Sequence, residues 1–166
     1  MKRPFALLLP QITSLALSLM LFLLPAPEVL RPYLPLWPLL VVLFWCLHTP
    51  ERFGLAGAWI TGLFVDLGTG AMLGQNALLY TLCAALILWL HLLLRPLPRI
   101  QLALFVAGLS GFYLFFDLWM RGGVGESTLA WAFFYPILGN LLAWPLLSLA
   151  MEKTLLGQHG ANGERV

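Results

Sequence analysis

FGLAGAWITGLFVDLGTGAMLGQNALLYTLCAALILWLHLLL, residues 53–94, carries one charged side chain, Asp66, in two apolar runs parted by a glycine-rich turn. The second run, 75–94, has the length that a helix needs to cross a hydrocarbon layer, about 20 residues for roughly 30 Å. The first run, 53–67, places small residues four apart at Gly54, Ala58 and Gly62, followed by Asp66, with Gly70 beyond its end. Small residues on one face let a neighbouring backbone come close, the main source of helix association in lipid. Each four-residue step drifts by about 40°, so the stripe winds slightly and carries Asp66 inward with the packed face. The turn 67–74 has glycines at 68, 70 and 74, which permit positive φ. It lacks the lysine of a phosphate-cradling GxxxxGK[ST] loop, which argues against nucleotide binding.

The same pattern extends to both ends. Of 166 residues, 61% are apolar and 10% charged, against about 25% charged in a soluble domain. Lipid, not water, is the solvent that such a surface suits. Charged and turn residues divide the chain into six apolar stretches, about 5–24, 34–49, 53–67, 75–94, 100–120 and 129–151. The expected fold is an all-α integral membrane protein, a six-transmembrane-helix bundle, with one transmembrane domain over 1–156 and a disordered cytoplasmic tail over 157–166. The second and third stretches are short, and His48-Thr49-Pro50-Glu51-Arg52 alone separates them. Two short spans are favoured over a re-entrant hairpin. Lys2 and Arg3 precede a first stretch longer than the usual h-region of about 7–15 residues. It ends in Pro25-Ala26-Pro27-Glu28, unlike a cleavage site, and reads as a retained span.

Orientation follows from the basic residues of short loops. With the N-terminus inside, Lys2, Arg3, Arg52, Arg95, Arg99, Lys153 and Arg165 are cytoplasmic, and Arg31 and Arg121 are outside. This bias places both termini in the cytoplasm. Trp37, Trp89, Trp119 and Trp131 fall near span ends, where amphipathic rings favour the interface, and Trp45, Trp59 and Trp144 are expected to pack between helices. The net charge of +2, without any Lys/Arg run, excludes a nucleic-acid partner. Cys46 and Cys83 lie in apolar runs and read as small hydrophobes.

Polar groups inside a membrane are the informative ones. Asp66, Asn76 and Asp117 all fall near the outer end of the bundle. They form either an outward-facing polar pocket or a set of helix caps and interfacial partners, with Arg121 or Thr69 as candidates for the pairing. Asn140, deep in the sixth stretch, is expected to hydrogen-bond a neighbouring helix. Pro145 removes one backbone donor and frees the carbonyl of Leu141. His48, His91 and His159 sit at the other end from both aspartates, and no serine has a histidine at its level, so no catalytic site and no metal or cofactor site is expected.

The order of landmarks resembles the rod shape-determining protein MreD family: Pro35-Leu36-Trp37, Phe44-Trp45, Pro50-Glu51-Arg52, then Gly57, Gly62, Asp66, Gly70 and Leu73-Gly74. A looser match follows at Asp117, Asn140 and Trp144-Pro145. The resemblance implies a non-enzymatic inner-membrane component of the bacterial cell-elongation machinery. Such a component binds MreC, a single-span partner, and works with MreB filaments, RodA and the elongation transpeptidase in side-wall peptidoglycan synthesis. The family also looks similar in architecture to the substrate-binding subunits of energy-coupling-factor transporters. That likeness leaves a second reading beside the scaffold, a small-molecule or lipid-binding subunit whose pocket includes Asp66, Asn76 and Asp117.

Overall fold

The computed structural model describes residues 8–25, 27, 30, 33–120 and 135–163. Over these residues the chain is all-helical, with six helices: α1 (Leu8–Leu23), α2 (Trp37–His48), α3 (Gly54–Thr69), α4 (Gln75–Leu94), α5 (Arg99–Met120) and α6 (Tyr135–Gly163). Lys2, Arg3, Arg31, Arg121, Trp131, Arg165 and the first residues of the sixth stretch lie outside the described residues.

Proline and glycine set the boundaries. Pro38 sits in the first turn of α2, where its missing N–H is one of the helix's unpaired donors anyway. Pro50 closes the same helix, since the residue before a proline avoids the α region. α3 ends on Gly70 in the left-handed conformation, φ +67°, and α4 begins after Gly74, φ +97°. Pro96 and Pro98 separate α4 from α5.

α2 is the hub. From Pro38 to Leu47 every residue is buried, and α1, α3, α4 and α6 all touch it. A helix that is apolar on every side belongs in such a place. Twelve residues make about 18 Å of helix, well short of the roughly 30 Å hydrocarbon layer. Around α2, consecutive helices alternate in direction. Gln11 near the start of α1 bonds Thr49 after α2, Asp66 near the end of α3 bonds the start of α4, and Arg99 at the start of α5 pairs with Glu152 far along α6.

α4 and α5 are long and apolar enough to cross a membrane, whereas α1 and α2 are apolar but shorter. The outer faces are apolar too, as at Leu9, Trp89, Ile100, Leu142 and Leu146. Lipid satisfies such faces; water does not.

Three expectations differ from the structure. The second helix starts at Trp37 rather than 34, because Pro35 and Pro38 postpone it. The segment from 157, expected to be disordered, is helical through Gly163, because α6 is already nucleated and only propagation is needed. Trp45 and Trp144 are buried as expected, but Trp59 is 42% exposed and faces outward from α3.

Candidate functional site

The polar chemistry gathers where α3 meets the start of α4. Gly62 makes that meeting possible: a Cβ there would lie 2.6 Å from the backbone nitrogen of Ala77 and 2.7 Å from the carbonyl oxygen of Asn76. With α3 and α4 this close, Asp66, one turn further along, reaches the first turn of α4. The backbone N–H of Gly74 donates to Asp66 Oδ2 at 2.8 Å, and that of Ala77 donates to the same oxygen at 3.3 Å. Asn76 donates to Oδ1 twice, from its backbone at 2.8 Å and its amide at 2.9 Å. A helix start leaves four backbone N–H groups without intrahelical partners and carries a partial positive charge. Gly74 supplies no side chain to cap it. Asp66 does this from another helix, and its own negative charge is met by that same helix end.

α5 closes the other side. Ser110, Tyr113 and Asp117 lie on one face at spacings of three and four residues. The Tyr113 hydroxyl donates to Asn76 Oδ1 at 2.5 Å, and the Gln75 amide donates to Asp117 Oδ1 at 2.8 Å. Ser110 gives its proton to Val106 O and accepts from the Asn140 amide at 2.7 Å. Asn140, fully buried on α6, accepts at 2.8 Å from the backbone N–H of Leu36, at the entry to α2. Gly139 beside it lets the backbone of Tyr33 and Pro35 cross α6, since a Cβ there would meet Tyr33 O.

The structure thus brings Asp66, Asn76 and Asp117 together, each at most 4% exposed. Asn140 joins them through Ser110 on α5. Ala58 and Gly62 lie in the packed face of α3. Gly54 and Gly70 stand instead at its two ends with positive φ and nothing within 4 Å of where a Cβ would be. Their role is backbone conformation, not close approach. Thr69, one of the two pairing candidates, bonds its own helix at Val65 O, and the Gln75 amide is a partner of Asp117; Arg121 lies outside the described residues.

Sequence reading passed over Gln75, Ser110 and Tyr113. Among the described residues the Tyr80 hydroxyl and Trp144 Nε1 are buried without a hydrogen-bond partner, Tyr80 lying edge-on to Tyr113. No group of three or more His, Cys, Asp or Glu is placed to hold a metal among the described residues. A cavity of about 630 Å³ opens at the same end of the bundle, walled by residues 21–25, residues 34–37, Gly68, Thr69 and Pro136. None of the four network residues lines it.

At the opposite end α1 and α2 are stitched by side chains. Trp45 Nε1 donates to Ser14 Oγ at 2.9 Å, and the Gln11 amide donates to Thr49 Oγ1 at 3.1 Å. Arg95 reaches from α4 to the last carbonyls of α2, Leu47 O and His48 O.

No solved structure matches this chain, and the likeness to energy-coupling-factor subunits expected from the sequence is not shown. A curated protein, rod shape-determining protein MreD of Haemophilus influenzae, is 30% identical over 142 residues, covering 82% of this chain and 85% of that protein. The profile of the family described as rod shape-determining protein MreD matches residues 1–154. That span takes in α1 to α5, the network at the start of α4 and α6 beyond Asn140, and the chain belongs to the rod shape-determining protein MreD family.

Proposed function

We propose that this chain is a non-enzymatic, multi-pass component of the bacterial inner membrane that acts in rod-shape determination. In this reading it is a scaffold that grips an MreC-like single-span protein. Through that partner it works with RodA, the elongation transpeptidase and MreB filaments to support side-wall peptidoglycan synthesis. Family membership supports the role in cell shape. The observation that carries the scaffold reading is where the polar groups point. Asp66, Asn76, Asp117 and Asn140 make bonds between helices, and the outer faces are left apolar. A bundle made rigid by internal bonds presents fixed apolar surfaces, which in lipid associate by close packing. The basic residues Arg52, Arg95, Arg99 and Lys153 share one end, and this supports placing both termini in the cytoplasm.

A second reading, a lipid or small-molecule binding subunit, has one observation in its favour, the 630 Å³ cavity at the Asp66 end. Cavities of that size hold drug-sized ligands. Co-purification in mild detergent tests the two. The tagged chain should bring down an MreC-like single-span protein in near-stoichiometric amount, and Thr69→Trp, a bulky change in the cavity lining, should leave this yield unchanged. Folded protein that recovers no such partner but carries a small molecule, lost in Thr69→Trp, would overturn the scaffold reading.

A further inference from the structure

A second recess, about 220 Å³, lies between the α2–α3 turn and the end of α4, lined by His48, Thr49, Pro50, Glu51, Arg52 and Arg95. Arg95 is held across it. Its Nε donates to Leu47 O at 3.3 Å and its Nη2 to His48 O at 3.4 Å. Both carbonyls belong to the last turn of α2, the negative end of that helix, so the guanidinium is oriented before any ligand arrives. A guanidinium has five N–H donors, and two are used here, which leaves three uncommitted among the described residues. A planar fork of that kind matches phosphate oxygens two at a time.

Arg52 adds a second positive charge from the turn, and Glu51 is the one carboxylate in the lining. The formal charge of the recess is therefore +1, two arginines less one glutamate, with His48 counted as neutral. Glu152, also at this end, is committed to Arg99 at 2.9 Å. One turn before Arg95 and on its side of α4, Leu92 is 74% exposed. A cationic recess at a helix end, above an apolar outer face, is laid out like a lipid: phosphate above, acyl chain below.

We propose that this recess binds a phosphate group, and that in the membrane the group is the headgroup phosphate of an anionic phospholipid with an acyl chain along Leu92. The site is independent of which protein partner the scaffold grips. The full chain in phosphatidylcholine nanodiscs, titrated with phosphatidylglycerol and read by native mass spectrometry, tests it. Arg52→Gln should weaken binding roughly fivefold, the worth of about one basic residue at a membrane surface. Glu51→Gln, on an exposed side chain, should tighten binding by a similar factor. The opposed signs separate a site from a general loss of folding. Equal retention in wild type and both variants would overturn the proposal. Inorganic phosphate that displaces phosphatidylglycerol at millimolar concentration would overturn the lipid assignment and leave a free phosphate as the ligand.

Discussion

Removing the Asp66 carboxylate should open the start of α4. The four N–H groups that Asp66 accepts come from Gly74, Asn76 (twice) and Ala77. In Asp66→Ala all four lose their partner. A buried donor left unsatisfied costs about 1–3 kcal/mol, so the sum runs from about 4 kcal/mol upward, less whatever water at the bundle end recovers. Asp66→Asn keeps one oxygen, hence two of the four bonds, and turns the other position into a donor facing donors. Its loss should be about half or more of the alanine value. The assay is reversible unfolding in mixed micelles, together with amide hydrogen exchange resolved to the 74–77 segment. Exchange should quicken at Gly74, Asn76 and Ala77 in both variants, while the amides in the middle of α5 keep their protection. The reasoning is refuted if Asp66→Ala unfolds within about 1 kcal/mol of wild type with unchanged exchange at those three amides.

Gly62→Ala should push α3 off α4 because its Cβ would strike backbone rather than a movable side chain, with a loss of about 1–3 kcal/mol in the same unfolding assay. Gly108→Ala, with open space at its Cβ, should be neutral or stabilising by up to about 1 kcal/mol, which makes it the matched control. Asn140→Leu strands the Leu36 N–H and removes a donor from Ser110, so it should lower stability by about 1–3 kcal/mol and loosen the entry to α2 by hydrogen exchange. Arg99→Gln breaks an ion pair whose arginine is 54% exposed, and thermal unfolding should detect less than about 1 kcal/mol.

The helical class and the six apolar stretches follow from hydropathy, because lipid leaves its mark on composition residue by residue. The inward turn of Asp66 is equally legible, since Ala58 and Gly62 mark the packed face. What Asp66 does there is not. Three of its four donors are backbone N–H groups eight to eleven residues further on, and backbone atoms have no letter in the sequence. Tyr113 and Ser110 had a signal that went unread: with Asp117 they form one polar stripe on a spanning helix. Trp59 misled because depth along a helix says nothing of which side a ring faces. The two terminal glycines of the α3 stripe, Gly54 and Gly70, show that four-residue spacing alone mixes two uses of glycine.

The second helix of this chain is completed by residues made much later. Its entry N–H, at Leu36, waits for Asn140, and its final carbonyls, at Leu47 and His48, wait for Arg95. Chains emerge from the ribosome N-terminus first, so α2 is made as a short apolar rod whose last carbonyls wait until Arg95 and whose entry waits until Asn140. It is too brief to settle in the bilayer alone. The order of translation is therefore not the order of assembly, and a ribosome that stops before Asn140 releases a bundle whose centre has never closed.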